Sequence, residues 1–283
     1  MKNVTLSEKD LEDLHALALE LALAGGRFVR DQRPDIVLVA QTKETDLDVV
    51  TIMDTQCEAL LRSMIREQRP DDAILGEEGD AVTGTSGLTW VLDPIDGTVN
   101  YLYDMPAYAV SIGVVTGDPL TPGEWEAVAG AVYNPIVDEV FHAHSGGGSR
   151  LSRPATAQID DGFVLQVQEP DTLTKALVGT GFSYSVEDRR SQAVIVSEVL
   201  VNVRDLRRMG AASLDLCAVA AGRLDAYYER GLHPWDMAAG CVIVSEAGGV
   251  VSGLLKPVSR EMTIAGAPGV HAALHRLLVR IIR

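Results

Sequence analysis

The stretch WVLDPIDGTVNY, residues 90–101, decides how the fold of this chain is interpreted. It begins as an apolar strand and places two aspartates, Asp93 and Asp96, three residues apart. Carboxylates this close repel each other, so they need nearby positive charge unless the stretch is a solvated turn, which Asp, Pro and Gly favour. Gly97 allows a close backbone approach, and a helix that opens at Thr98 would offer unpaired amides to an anion.

Two other stretches place acidic residues at the ends of predicted elements. ILGEEG puts Glu77 and Glu78 directly after a short strand, and HPWDMAAG puts Asp236 at the start of a helix. Each has an ordinary alternative, since the glutamates suit a solvated turn and Asp236 suits a helix N-cap. Together with the first stretch they fit a hard cation such as Mg²⁺, which prefers carboxylate and carbonyl oxygens beside a substrate phosphate. The tight Pro-Ile turn would also free the carbonyl of Ile95 as a ligand.

Composition limits the classes of function. The chain has 283 residues, 47% of them hydrophobic, which is enough for one large domain or two of ordinary size. A formal net charge of −16 argues against non-specific nucleic-acid binding, which needs Lys and Arg to neutralise phosphates. Acids interrupt the apolar N-terminal segment, and no apolar run reaches the roughly 18 residues of a membrane span. We therefore expect a soluble, cytoplasmic protein.

The order of the predicted elements indicates an α+β fold with a cleft between two halves. The first half reads as a helix at 7–30, a hairpin-like segment at 36–53 and a helix at 55–69, followed by strands without intervening helices. That succession predicts an antiparallel or mixed sheet. The turn Gly146–Gly148 separates the halves, which cover residues 1–146 and 147–283. In chain order, the second half reads as a strand at 163–168, helices at 171–179, 188–203 and 212–222, a strand at 224–229, a helix ending at Gly248 and a closing helix at 269–283.

The motifs resemble those of a known family. GEEG, WVLDPIDGTVNY, YAVSIGV and HPWDMAAGCVIVSEAGG are similar, in this order, to motifs of the inositol monophosphatase family of Mg²⁺-dependent, Li⁺-sensitive phosphatases. KETDLDVVTIMDTQCE resembles the N-terminal motif of that family, so the resemblance covers residues 8–280. It implies a layered α/β/α/β/α sandwich of the sugar-phosphatase type, with the metal site in the cleft, and a homodimer.

The resemblance implies the ligands of two to three Mg²⁺ ions. Glu77, Asp93 and the carbonyl of Ile95 would hold the first ion. Asp93, Asp96 and Asp236 would hold the second, and a weaker third ion would lie near Glu77 through waters. Because Asp93 would bridge two cations, its repulsion from Asp96 would be offset.

The resemblance also implies the residues around the reacting phosphate. Thr98, oriented by Asp54, and Glu77 would position the attacking water and help to accept its proton. The amides of Gly97 and Thr98 would hold the phosphate oxygens. Asp54 also suits the N-cap of the helix that follows it.

Substrate residues are implied in the second half of the chain. Gly210, Ala211 and Ala212 match the alcohol-binding loop of the family, and Glu229 matches its hydroxyl acceptor, although a rim charge is the alternative. Asp96 would also touch a substrate hydroxyl. Ala211 replaces a threonine that is common in the family, which weakens the inference to inositol itself.

Other polar residues are less determined by the sequence. Lys43 matches a family lysine near the metal site, with a solvated loop lysine as the alternative, and Glu78 is a further candidate beside Glu77. Four histidines are predicted to lie at the surface without a ligand role: His142, His144, His271 and His275.

The function implied is hydrolysis of a phosphate monoester on a small polyol or sugar, first of all inositol 1-phosphate. The alternatives within the superfamily are fructose 1,6-bisphosphatase, histidinol-phosphate phosphatase and 3′-phosphoadenosine phosphatase. A regulatory, transcription-associated homologue that keeps the fold is an alternative of a different class.

Overall fold

The computed structural model describes residues 5–43, 49–154, 162–255 and 257–282. The helices in these ranges are α1 Glu8–Asp31, α2 Ile52–Gln68, α3 Thr98–Leu102, α4 Val186–Leu200, α5 Ala212–Ala220, α6 Pro234–Glu246 and α7 Pro268–Ile282. The strands are β1 Val39–Thr42, β2 Val49–Thr51, β3 Ala73–Gly76, β4 Leu88–Asp96, β5 Ala109–Gly117, β6 Trp125–Asn134, β7 Glu139–His144, β8 Gly148–Ser152, β9 Phe163–Val164, β10 Leu177–Thr180, β11 Asp205–Arg207, β12 Ala226–Glu229, β13 Val250–Ser252 and β14 Thr263–Gly266. None of these helices has the length and apolar character needed to cross a membrane.

Two large sheets organise the fold. The first has seven strands in the order β3-β4-β5-β6-β7-β8-β9 and is antiparallel except for the parallel pair β3 and β4. The second has five strands in the order β11-β10-β12-β14-β13, and only β10 pairs in parallel with both of its neighbours. A small antiparallel pair, β1 and β2, forms the hairpin-like segment.

Helices cover both faces of each sheet, which produces five layers. The first layer is α1 with α2, which pack on the seven-stranded sheet; α5 and α6 fill the space between the two sheets. α4 and α7 contact each other, and α7 packs on the five-stranded sheet. The α/β/α/β/α sandwich implied by the resemblance is therefore confirmed.

Helix α1 shows how the sequence produces one of these layers. Ser7 is the N-cap and forms a capping box with Asp10, which satisfies amides that the first turn leaves free. Leu14, Leu21 and Val29 recur at helical spacing and are buried against the sheet. Burial of a leucine stabilises the fold by about 2 kcal/mol, so this stripe fixes the helix on the sheet.

Three predictions in the second half need correction. Residues 171–179 are not a helix: a 3₁₀ turn at Leu173–Lys175 leads into β10, because β10 is held on both sides by parallel partners. The strand predicted at 163–168 is limited to β9. The turn at Gly146 is confirmed, but Gly148 opens β8, so the seven-stranded sheet continues beyond that turn.

The surface position predicted for the histidines is wrong for two of them. His142 is buried, and its ring nitrogens lie 2.8 Å from His15 Nε2 and 3.1 Å from the Ser152 hydroxyl. His271 is also buried and lies 2.9 Å from the Ser252 hydroxyl. Hydrogen bonds to these partners allow neutral imidazoles to be buried.

Candidate active site

A bulge in β4 places both aspartates of the central motif on one face of the sheet. In a regular strand, residues three apart point to opposite faces. Asp93 pairs with Ser111 and Asp96 pairs with Ala109, so three steps along β4 match two steps along β5. The Asp93 carboxylate accepts the amide hydrogen of Ile95 at 3.0 Å, which closes an Asx-type turn across the bulge.

The other two acidic residues reach the same place from β3 and α6. Glu77 follows β3, and its amide donates to Leu92 of the parallel neighbour β4 at 3.2 Å. Asp236 lies in the first turn of α6, and one oxygen each of Asp93, Asp96 and Asp236 lie within 4.8 Å of one another. Glu77 lies within hydrogen-bond reach of Asp93, so four carboxylates from three stretches converge.

Burial and mutual repulsion make the charged form of this cluster unfavourable. Burial is the largest effect that raises the pKa of Glu77, Asp93 and Asp236. Neighbouring carboxylates raise the pKa of Asp93 and Asp236 further, whereas Lys43 and a hydrogen bond with Asp93 partly offset the effect of burial on Glu77. Burial also raises the pKa of Asp96, to about 6. A set of buried oxygen donors that repel one another fits a hard divalent cation such as Mg²⁺, so the residues present suit the metal that the resemblance implies.

Lys43 belongs to this cluster rather than to a solvated loop. Its ammonium group lies 2.6 Å from Glu77 Oε1 and 2.7 Å from Glu78 Oε1. Burial lowers the pKa of Lys43, but these two carboxylates outweigh that effect and raise it. The rest of the predicted N-terminal motif before β2, residues 44–48, lies outside the described residues.

Asp96 is held by the N-terminus of α5. Its carboxylate accepts the amides of Ala212 at 3.2 Å and of Ser213 at 2.7 Å, and the Ser213 hydroxyl at 2.5 Å. The positive end of the helix and these three bonds stabilise the charged form of Asp96 against the effect of burial. The amide of Ala212, which the sequence assigned to substrate, is therefore bonded to Asp96.

Thr98 and Asp54 contact each other as the sequence predicted. The Thr98 hydroxyl lies 3.2 Å from Asp54 Oδ1 and 3.0 Å from the Ile95 carbonyl oxygen. Asp54 is not the N-cap of α2: Thr51 is, and Asp54 accepts the Thr51 amide at 2.8 Å in a capping box. Asp236 plays the same part in α6, where its carboxylate accepts the amide of the N-cap His233 at 2.6 Å.

Gly97 joins the central motif to α3 in a conformation that favours glycine. Its φ is +91°, and a Cβ there would lie 3.0 Å from the Ala107 carbonyl oxygen and 3.2 Å from the Ala211 Cβ. The backbone of the central motif can therefore pass directly beside the loop at Gly210. This close approach brings the predicted phosphate and substrate segments together.

A cavity of about 410 Å³ connects the predicted residues. Glu77, Asp93, Asp96 and Asp236 line it, and so does Glu229. The cavity is also lined by Lys43, Ile95, Gly97, Thr98, Gly210, Ala211 and Ala212, whereas Asp54 and Glu78 are not among its lining residues. The structure therefore brings most of the predicted residues to one cleft and places those two behind it.

Glu229 has a fixed orientation in this cleft. It is the last residue of β12, and its carboxylate accepts the hydroxyl of Tyr227. Burial is the main cause that raises the pKa of Glu229 to about 7. A buried, anchored carboxyl on the cleft wall is suited to accept a hydroxyl from a ligand, which a solvated rim charge would not do as selectively.

Sequence reasoning gave no role to Glu58 and Arg62, and it did not predict the contacts of Ser213 and Arg208. Ser213 binds Asp96, and Arg208 lines the cavity. Glu58 and Arg62 form a buried ion pair on α2. A signal for this pair exists in the sequence, because both residues fall on the stripe of α2 whose helical spacing predicts burial.

A five-layer α+β sandwich with carboxylates converging in its cleft is the architecture of the sugar-phosphatase class of enzymes. The family model described as "Inositol monophosphatase family" matches residues 10–283. The chain therefore belongs to the inositol monophosphatase family.

Individual relatives agree with this assignment. A protein of Mycobacterium leprae named inositol-1-monophosphatase is 41% identical over 98% of this chain and 97% of its own length. The solved structure of Mycobacterium tuberculosis SuhB is 42% identical and has a TM-score of 0.78, over 95% of this chain and 97% of that chain. A Vibrio cholerae protein named Nus factor SuhB is 34% identical over 83% of each chain.

Proposed function

We propose that this protein is a Mg²⁺-dependent phosphate-monoester hydrolase whose preferred substrate is inositol 1-phosphate. The observation that carries the proposal is the convergence of Glu77, Asp93, Asp96 and Asp236 in one cleft. Family membership and the names of the relatives support the phosphatase reaction.

The metal ligands in this proposal are Glu77, Asp93, the Ile95 carbonyl, Asp96 and Asp236. Two to three Mg²⁺ ions, when bound, would supply positive charge to the phosphate oxygens and lower the pKa of a water. The capping box of Asp236 and the three hydrogen bonds to Asp96 hold these carboxylates in place before metal arrives. Preformed ligands reduce the ordering that binding requires.

On the nucleophile side, Thr98 orients the attacking water. The Thr98 hydroxyl has one hydrogen, which it donates to Asp54 when the Ile95 carbonyl is engaged as a ligand. Its oxygen then accepts a hydrogen bond from the water, and Glu77 accepts the proton. The amide and hydroxyl of Thr51 fix the Asp54 carboxylate, so the Thr98 hydroxyl is held in a single orientation.

On the substrate side, the amides of Gly97 and Thr98 hold the phosphate, and Glu229 accepts a hydroxyl of the polyol. Asp96 and the loop Gly210–Ala212 form the adjoining wall of the cleft. The Tyr227 hydroxyl keeps one Glu229 oxygen occupied, which leaves the other to distinguish substrates by the position of their hydroxyls.

A second candidate substrate is fructose 1,6-bisphosphate. Arg208, Arg230 and Arg260 line the same cavity, and no ion pair of these three side chains is found among the described residues. Guanidinium groups bind phosphate well, so these arginines favour an ester that carries a second phosphate. The regulatory, transcription-associated alternative has no comparable support in the structure, and the net charge of −16 does not favour direct RNA contact.

We also propose that the enzyme is a cytoplasmic homodimer. Cys57, Cys217 and Cys241 are free and buried, which suits a reducing compartment. The resemblance to the family supports the dimer, and light scattering on the purified protein tests it.

A panel of phosphate esters tests the proposed function. We expect Mg²⁺-dependent release of phosphate from inositol 1-phosphate, inhibited by Li⁺, with fructose 1,6-bisphosphate as the second substrate. Histidinol phosphate and adenosine 3′,5′-bisphosphate complete the panel. If the Mg²⁺-loaded protein hydrolyses none of these four esters, the proposal is overturned.

A further inference from the structure

Glu58 and Arg62 are charged residues on the face of α2 that packs into the fold. Their side chains are only 3% and 11% exposed. They share this face with Cys57, Leu61 and Ile65, which are fully buried. A buried ion pair is unfavourable compared with apolar side chains unless further hydrogen bonds compensate, so the partners of this pair indicate its role.

The pair holds the backbone of the GEEG segment. Glu58 Oε2 accepts the amide of Glu78 at 2.8 Å, and Oε1 accepts the amide of Gly79 at 2.8 Å. The Arg62 guanidinium donates to Glu58 at 2.7 Å and to the Gly79 carbonyl oxygen at 3.0 Å. All four bonds are formed by side chains of one helix, so the segment is fixed relative to α2.

The chain also passes directly over the Glu58 carboxylate just before this segment. A Cβ at Gly76 would lie 2.4 Å from Glu58 Oε2, so a side chain there would displace the Glu58 carboxylate. Glu77 therefore stands between two points at which its neighbours contact Glu58. One turn earlier on α2, Asp54 contacts Thr98, so the same helix supports both sides of the proposed nucleophile.

We propose that Glu58, assisted by Arg62, is a positioning residue that sets the place of Glu77 in the metal site. The inference rests on the proposed function, in which Glu77 is a metal ligand. Glu58→Gln keeps the size of the side chain but turns an NH₂ group toward a backbone amide that needs an acceptor. Loss of a residue that orients a metal ligand lowers metal affinity by about 10- to 100-fold, and we expect this loss for the variant.

The experiment measures Mn²⁺ binding to the metal-free protein by calorimetry, together with thermal unfolding in EDTA. Glu139→Gln is the matched control, because Glu139 is another buried glutamate in an ion pair. It lies on β7, away from the site, and pairs with Arg153 and Arg223. Arg62→Gln is a second variant that tests the inference if Glu58→Gln fails to fold. It retains both hydrogen bonds that Glu58 accepts from backbone amides. We expect it to lower Mn²⁺ affinity by about two- to tenfold, the worth of the single hydrogen bond that Arg62 makes to the GEEG segment.

The outcomes separate the inference from the proposed function. Weaker Mn²⁺ binding in both α2 variants, with unchanged binding in Glu139→Gln, supports the inference. If folded Glu58→Gln and Arg62→Gln bind Mn²⁺ with the affinity of the wild type, even with a lower Tm, the inference is overturned. The Glu58–Arg62 pair would then have only a structural role. A wild-type protein that binds no Mn²⁺ overturns the proposed function itself.

Discussion

Replacing Asp93 with asparagine should stabilise the metal-free protein while it abolishes activity. Asp93 is buried at the centre of the acidic cluster, and repulsion from Glu77, Asp96 and Asp236 adds to the effect of burial in raising its pKa. Asn keeps an oxygen for the Ile95 amide and adds hydrogens that neighbouring carboxylates can accept. The Asp93 carboxylate is therefore unfavourable for folding of the metal-free protein.

The structure gives the scale of the effect. At the 4.8 Å that bounds the distances within the aspartate cluster, two unit charges repel by about 3.5 kcal/mol at an effective dielectric constant of 20. Asp93 belongs to two such pairs, so ionising Asp93 beside charged Asp96 and Asp236 would cost about 7 kcal/mol. Proton uptake by the cluster relieves most of this repulsion, and we expect a net gain of about 2 kcal/mol in Asp93→Asn, or about 4 °C in Tm for a chain of this size.

Thermal unfolding in EDTA and in excess Mg²⁺ measures the change. The wild type should gain stability with Mg²⁺, whereas Asp93→Asn should start higher in EDTA and gain little. Glu139→Gln provides the opposite control: although burial raises the pKa of Glu139, Arg223 and Arg153 outweigh it and lower the pKa, so the variant should be less stable than wild type. A lower Tm for Asp93→Asn in EDTA would refute the reasoning.

Three further predictions concern single contacts. Ser213→Ala removes the hydroxyl bond to Asp96 but leaves the amide bond, so kcat/KM should fall about tenfold, and an unchanged value would contradict a role for that bond. Glu229→Gln should raise KM for inositol 1-phosphate with a smaller change in kcat, and steady-state kinetics would show the reverse if Glu229 were catalytic. Burial lowers the pKa of His142 from 6.5 to about 3, so the protein should lose stability as pH falls below 6.5. At pH 4.5 His142 accounts for about 2.7 kcal/mol of that loss. Denaturant unfolding should therefore show that the free energy of unfolding falls less steeply with decreasing pH in His142→Gln than in the wild type. Equal pH dependence in the two proteins would exclude His142 as the cause.

Most helices of this fold were predictable because their signals are local, whereas the order of the layers was implied by the family resemblance. The prediction for α1 at 7–30 lies within one residue of the observed limits at each end, since the capping residue Ser7 and the apolar spacing both lie in the segment itself. The acidic residues were also predictable as a set, because each lies at or near one end of an element. Residues that close an element beside a neighbouring strand meet at one edge of the sheet.

Features that depend on distant parts of the chain were not predictable. The bulge that aligns Asp93 with Asp96 exists only through the register with β5. The bonds between Asp96 and Ser213 join residues 117 apart in sequence, and β10 became a strand because β11 and β12 flank it. Local propensity contains no information on such contacts.

Diffraction from crystals of the wild type and of Asp93→Asn, both soaked in Mn²⁺, tests the central claim most directly. Anomalous scattering locates Mn²⁺ without ambiguity. We predict peaks in the wild type within coordinating distance of the Asp93 carboxylate, with Glu77, Asp96 or Asp236 as further ligands, and their loss or weakening in the variant. Wild-type crystals with no peak at these carboxylates, or the same peaks in both proteins, would contradict the account.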